Sequence, residues 1–77
     1  MFHLTLLANK ERFKMKEYQS RIIDEKTELE EKIDRLKGFF GGEVFMNLHE
    51  EEQDRLHCQY QIMKAYSAIL ASRIKMF

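Results

Sequence analysis

A single Gly41-Gly42 pair divides a chain that contains no proline. On both sides of this pair, apolar residues recur at spacings of three and four, which is the period of an amphipathic α-helix. Glycine readily adopts the positive φ angles that a tight reversal of the backbone uses. The sequence therefore predicts an all-α fold in which two long helices pack antiparallel as a hairpin with a short N-terminal arm.

The predicted domain is single and spans residues 1–77. Its segments are an apolar arm over residues 1–8, a first helix over 9–38, a turn over 39–47 and a second helix over 48–76. Asn9 is the predicted N-cap of the first helix, and Gly38 is its predicted C′ residue. Asn47 and Glu50 have the spacing of a capping box that starts the second helix. The apolar residues between the helices are expected to close this end of the hairpin: Phe39, Phe40, Val44, Phe45 and Met46.

Each helix carries an apolar stripe for the interface with the other. In the first helix the stripe consists of Met15, Tyr18, Ile22, Leu29, Ile33, Leu36 and Phe40, with Lys26 as its one polar position. In the second helix it consists of Leu56, Tyr60, Met63, Tyr66, Leu70, Ile74 and Phe77. The second helix also carries another stripe at the same spacing: Cys58, Ile62, Ala65, Ile69, Ser72 and Met76.

The extra stripe predicts self-association. A two-helix hairpin buries one face of each helix, so a second apolar face needs another partner. If Phe40 lies beside Leu48, Ile33 meets Leu56, and residues before Arg12 have nothing opposite them in the same hairpin. We therefore expect a homo-oligomeric helical bundle. Its expected interface residues are Phe2, Leu4 and Leu7 of the arm and Ile62, Ile69 and Met76 of the second helix.

Composition excludes several classes of protein. Thirteen basic residues balance thirteen acidic ones, so the chain lacks the basic surface that drives duplex nucleic-acid binding by counterion release. No apolar run approaches the ~20 residues of a membrane span, and the N-terminal segment lacks the basic start of a signal peptide. Cys58 is the only cysteine, which favours a reducing, intracellular setting without disulfides.

No residue pattern predicts catalysis, a metal site or a cofactor. His57 and Cys58 are adjacent, so on a helix their side chains point ~100° apart and form neither a metal site nor a nucleophile–base pair. Gly41-Gly42 lacks the Lys-Ser or Lys-Thr of a phosphate-binding loop. The expectation is a protein that is not an enzyme.

Lys26 has two interpretations because it interrupts an apolar stripe. In the structural one, its methylenes pack against Met63 while its ammonium reaches solvent or a carboxylate. In the functional one, lysine and tyrosine side chains of the seam hold an anionic ligand between subunits, with Tyr18 or Tyr60 stacking on a base. The substitution Lys26→Met distinguishes the two, since only the second predicts loss of ligand binding.

From Tyr18 onwards, the run YQSRIIDEKTELEEKIDRLKGFF and the spaced residues that follow it resemble a family of small bacteriophage proteins related to a crAss-like phage gene product. The most specific part of the pattern is Glu52, Gln53, Leu56, Gln59, Met63, Tyr66, Leu70, Arg73 and Ile74. The resemblance covers about residues 17–77. It implies a phage accessory protein in the host cytoplasm and assigns no functional residues.

Two functions follow as hypotheses. In the first, the oligomer takes part in host takeover or counter-defence by sequestering a small anionic ligand such as a cyclic nucleotide immune signal. Its ligand-binding residues would be Tyr18, Arg21, Lys26 and Arg73. In the alternative, the apolar face of the second helix and the arm inhibit or scaffold a host or phage protein.

Overall fold

The computed structural model describes the backbone of residues 2–77 and the side chains from residue 16 onwards. Over that backbone the chain is all-helical, with three helices and no strand: α1 (Phe2–Phe39), α2 (Glu43–Met46) and α3 (Glu50–Lys75). α1 and α3 pack against each other as an antiparallel pair, and α2 is a single turn inside their connection. The described chain is a rod of 67 × 16 × 15 Å.

α1 is longer than predicted at both ends. It begins at Phe2, so residues 2–8, predicted as an arm, belong to the helix together with Asn9, the predicted N-cap. No proline or glycine lies between Phe2 and Lys37 to end the helix, and an asparagine inside it costs less than about 1 kcal/mol. The side chains of Phe2, Leu4 and Leu7, predicted at the oligomer interface, lie outside the described part of the structure.

The turn uses its glycines differently from the prediction. Among the described residues, no glycine has a positive φ angle. Gly38 remains inside α1, and Gly42 is the extended N-cap of α2 with φ −97° and ψ 165°. The chain reverses by inserting α2 between the long helices, and this short helical turn spreads the change of direction over several residues with ordinary φ angles.

The start of α3 also differs from the predicted capping box. Asn47 is the C-cap of α2, and His49 is the N-cap of α3, without a side-chain cap. Gln53 instead stabilises the connection from inside α3, because its side-chain amide donates hydrogen bonds to the carbonyls of Phe45 at 2.9 Å and Leu48 at 3.1 Å. The three glutamates of the first turn of α3 complement the positive end of its dipole.

Aromatic packing sets the register between α1 and α3. The ring of Phe40 lies 4.5 Å from the ring of His57 and 5.4 Å from that of Tyr60. The predicted pairing of Phe40 with Leu48 is therefore wrong. α2 and its buried Phe45 occupy the space at the end of α1, and this brings Phe40 against later turns of α3. Ile33 consequently lines the same groove as Tyr60 and Lys64, one turn or more beyond Leu56.

The core is thin. Of the hydrophobic residues with described side chains, Ile22, Ile33, Phe45 and Leu70 are buried, and Leu70 is fully inaccessible. Ser67 is buried at the position that the sequence assigned to Tyr66, which is 41% exposed. Val44 and Met46, expected to close the hairpin end, are exposed because only Phe45 of α2 turns towards α1 and α3.

Candidate functional site

A groove of about 340 Å³ follows one flank of the α1–α3 interface. Three lysines and two carboxylates border it, together with one tyrosine, Ile33 and three small residues of α3. The lining consists of Lys26, Glu30, Ile33, Asp34, Lys37, Tyr60, Lys64, Ser67, Ala68 and Ala71.

The groove is open because of the side-chain sizes on α3. Ser67, Ala68 and Ala71 have short side chains and lie opposite the longer Lys26 and Glu30 of α1. Larger residues at these positions would fill the space that now lies between the helices. The sequence thus builds a concave, partly polar surface into an otherwise narrow hairpin.

A hydrogen-bonded cluster of groove residues joins α1 to α3. Lys26 Nζ lies 3.0 Å from Glu30 Oε1, and Ser67 Oγ donates to the same oxygen at 2.6 Å. These bonds and the lysine charge lower the pKa of Glu30, with the Ser67 hydrogen bond as the largest cause. Glu30 is therefore an anion at neutral pH, and it pairs with the Lys26 ammonium at the solvent-accessible edge of the groove.

The other two lysines of the groove are more exposed. Lys64 lies on α3, with its Nζ atom 5.3 Å from the centroid of the Tyr60 ring, close enough for a cation–π contact. Lys37 lies in the last turn of α1. With Glu30 engaged by Lys26 and Ser67, the ammonium groups of Lys37 and Lys64 face one further carboxylate in the lining, that of Asp34. The groove therefore has an excess of positive charge on a chain whose net charge is zero.

A second polar group joins α1 and α3 elsewhere. The Arg73 guanidinium donates a hydrogen bond to the Tyr18 hydroxyl and lies 5.6 Å from the centroid of that ring. Nearby, the Tyr66 hydroxyl donates to the Glu25 carboxylate, and this bond is the main cause of a raised Tyr66 pKa. Lys64 and Arg73 are nine positions apart on α3, so they lie about 180° apart around its axis. The two polar groups are therefore on different flanks of the hairpin.

The structure thus separates the four predicted ligand-binding residues. Lys26 lines the groove, while Tyr18 and Arg73 contact each other outside it. Arg21 is exposed and does not line the groove. Sequence reasoning missed Lys37 and Lys64 as groove residues. The signal for Lys64 was its spacing from Ala68 and Ala71, which places small residues beside a lysine on one face of α3, whereas no such pattern marks Lys37.

The second stripe of α3 is uncovered in the single chain. Ile62 is 69% exposed, Ile69 57% and Met76 84%. The smaller members of the stripe, Cys58, Ala65 and Ser72, are exposed as well. This face is apolar and does not pack against α1.

The Ser67–Glu30 hydrogen bond should make the stability of the fold depend on pH in the acid range. Because the pKa of Glu30 in the folded state is lowered from 4.5, ionised Glu30 stabilises the fold above pH 4.5, and this contribution is lost as the pH falls through the lowered pKa. We expect Ser67→Ala to raise the Glu30 pKa, measured by NMR titration of its carboxyl carbon. Ser72→Ala, at an exposed serine of the same helix, should leave it unchanged. An unchanged Glu30 pKa in Ser67→Ala would contradict the assigned cause.

The described residues contain no group of three or more His, Cys, Asp or Glu side chains placed to hold a metal ion. No helix among them is both long enough and apolar enough to cross a membrane.

The fold and the groove define a class of protein: an all-α hairpin with an open groove along its two antiparallel helices, bordered by three lysines and two carboxylates. A family model described as Sequestin matches residues 16–76. The chain belongs to the Sequestin family. Comparison with curated proteins finds no match, and comparison with solved structures finds none.

The family match covers nearly the same stretch as the resemblance found in the sequence, which began at about residue 17. It includes α1 from residue 16 onwards, the connection, all of α3 and every groove residue. The relationship to crAss-like phage gene products stays a prediction, because the Sequestin match carries no phage assignment.

Proposed function

We propose that this protein is a non-enzymatic binder that sequesters a small anionic nucleotide in the groove between α1 and α3. The observation that carries the proposal is the concave lysine-lined surface formed by Lys26, Lys37 and Lys64 around the short side chains of α3. The family name, Sequestin, supports a sequestering role. A cyclic nucleotide immune signal is the proposed ligand, which would make the protein a phage counter-defence factor in the host cytoplasm.

The chemistry of the groove fits a phosphate next to a less polar group. Lys37 and Lys64 are solvent-accessible ammonium groups suited to phosphate oxygens. Tyr60 and the methyl groups of Ala68 and Ala71 supply an apolar surface for a sugar or base. The volume of about 340 Å³ is near the lower end of small-ligand pockets, about 300–1,000 Å³, so the groove suits one nucleotide unit.

Lys26 has a different expected role from the other two lysines. Its ammonium already contacts Glu30 Oε1, the oxygen that also accepts the Ser67 hydrogen bond. A bound phosphate would share this ammonium with Glu30 without requiring Lys26 to move far. We therefore expect Lys26 to position the ligand, and Lys64 to supply more of the attraction.

Thermal-shift and calorimetric titrations with cyclic dinucleotides, cyclic trinucleotides and ADP-ribose-like signals test this function. A ligand at about 100 times its Kd stabilises the fold by about 2.7 kcal/mol, which corresponds to a Tm rise of about 10 °C or more in a domain of this size. Sequestration further predicts that heat-denatured complexes release the ligand chemically unchanged. A processed ligand would indicate catalysis and overturn the non-enzymatic proposal.

Substitutions of the groove lysines locate the binding site. Lys64→Met and Lys26→Met should each weaken the Kd of a bound nucleotide at least about tenfold, the value of one lost charge-assisted hydrogen bond. Lys32→Met removes an exposed lysine of α1 that does not line the groove and serves as the matched control. Equal affinity in all three variants would place the ligand elsewhere, for example at the Tyr18–Arg73 pair.

The second candidate function is the alternative raised by the sequence, inhibition or scaffolding of a host or phage protein. The observation that favours it is the exposed apolar face of α3 at Ile62, Ile69 and Met76. Contiguous exposed apolar surface is typical of protein–protein contacts. Absence of a thermal shift with every nucleotide class, together with a defined complex formed through this face, would favour this function over the first.

A further inference from the structure

The exposed face of α3 has a regular alternation of large and small side chains. Ile62, Ile69 and Met76 recur every seven residues. Cys58, Ala65 and Ser72 recur at the same spacing, each three or four residues from a large one, and all six are exposed. This is the heptad pattern of a helix that packs against another helix, with large residues at one seam position and small residues at the other.

α1 of the same chain does not cover this face. At about 100° per residue, Ile69 and Met76 lie about 160° and 180° around α3 from Ser67, which is buried against α1. The face therefore points away from the hairpin interface. The groove lies on the flank between the two, and its residue Ala68 is next to Ala65 and Ser72 of this face.

We propose that this face binds the same face of a second copy of the chain, with the two α3 helices antiparallel. In this arrangement Ile62 lies opposite Ser72 of the second copy, Ile69 opposite its Ala65, and Met76 opposite its Cys58. Each large side chain then meets a small one, as knobs-into-holes packing requires, and a two-fold axis makes every contact occur twice. No residue of the stripe is left without a counterpart.

The charge distribution along α3 selects the antiparallel orientation. The first turn carries Glu50, Glu51 and Glu52, whereas the last turn carries Arg73 and Lys75. After Asp54 the chain has no acidic residue. A parallel pair would place carboxylates beside carboxylates and cations beside cations, and would align the helix dipoles. The antiparallel pair separates the like charges and opposes the dipoles.

Sedimentation analysis over a wide concentration range tests the association itself. The wild-type protein should change from monomer to dimer as its concentration rises. Ile69→Glu, which puts a charge at the middle of the stripe, should remain monomeric with unchanged helicity by circular dichroism. Ile23→Glu, at a half-exposed isoleucine of α1, is the matched control and should still dimerise. A wild-type protein that stays monomeric at every concentration, or an Ile69→Glu variant that still dimerises, would overturn the proposal.

Disulfide trapping tests the orientation without relying on a destabilising variant. The proposed register places residue 76 beside Cys58 of the second copy, within reach of a disulfide, so oxidised Met76→Cys should give dimers linked between positions 58 and 76. In one chain these positions are about 27 Å apart along α3, so the bond must join two copies. Met76→Cys in a Cys58→Ser background should not cross-link. Wild-type dimers linked between the two Cys58 residues would indicate a parallel pair and contradict the orientation.

This inference is independent of nucleotide sequestration. Because the groove lies within one chain, Ile69→Glu should keep the nucleotide affinity of the wild type, and Lys64→Met should keep its ability to dimerise. Loss of association and loss of ligand binding are therefore separate outcomes, and either proposal can fail while the other stands.

Discussion

Leu70→Ala is expected to lower the free energy of unfolding by about 2–5 kcal/mol, the cost of removing a buried leucine side chain and leaving a cavity. Leu70 is fully inaccessible and lies in a core with few other buried hydrophobic residues. A domain of this length has a total stability of about 4–12 kcal/mol. The variant should therefore lose a large fraction of its stability and unfold at a clearly lower urea concentration, as measured by urea denaturation followed by circular dichroism.

Ile23→Ala is the matched control for this prediction. Ile23 is an isoleucine of α1 that is 46% exposed, so its truncation removes little buried area. Alanine also has a higher helix propensity than isoleucine, by a few tenths of a kcal/mol, which offsets part of the loss. If both variants lost the same stability, the α1–α3 core would not be centred where the structure places it.

Phe45→Ala is expected to lower the free energy of unfolding by about 3–5 kcal/mol, the range for a buried aromatic residue. Phe45 is 5% exposed. Its ring makes edge contacts with the rings of Phe39 at 6.1 Å, Phe40 at 5.1 Å and His57 at 5.3 Å. It thus links the end of α1, the connection and the start of α3, and its removal should release α2 from the hairpin.

Val44→Ala provides the comparison, because Val44 precedes Phe45 in α2 and is 67% exposed. We expect it to change the free energy of unfolding by less than about 0.5 kcal/mol, as is usual for surface positions. Amide hydrogen exchange gives a second measurement. In Phe45→Ala, protection should fall first at Gly42 to Leu48, whereas equal protection along the connection in both variants would contradict an anchoring role for this ring.

The periodicity of the sequence predicted the all-α fold and most of the helix–helix seam. Ile22, Ile33 and Leu70 were placed on the inner stripes and are buried. Of the two interpretations of Lys26, the structural one allows an ammonium that reaches solvent or a carboxylate, and Lys26 contacts Glu30. These predictions succeed because a helical face follows from the spacing of residues only a few positions apart, which is local information.

The predictions that failed depended on how distant segments pack. The inner face of α3 passes through Ser67 rather than Tyr66, about 100° away around the helix. Both residues fit the spacing of threes and fours between Met63 and Leu70, and the apolar pattern favours Tyr66 because Ser67 is polar. The observed register between α1 and α3 differs from the predicted one because Phe45 packs at the end of α1. In the observed register, Lys64 lies in the groove with Lys26, and Arg73 contacts Tyr18 outside it.

The sequence by itself determined that two long amphipathic helices reverse near Gly41-Gly42 and that α3 has an apolar face beyond the one the hairpin uses. Both properties depend on the order of residue types along a helix. Only the tertiary structure decided which lysines share a surface. That choice depends on the offset between α1 and α3, and the offset depends on the packing of Phe40 and Phe45 with His57. Helix periodicity carries no information about the offset, because sliding one helix along the other leaves both patterns unchanged.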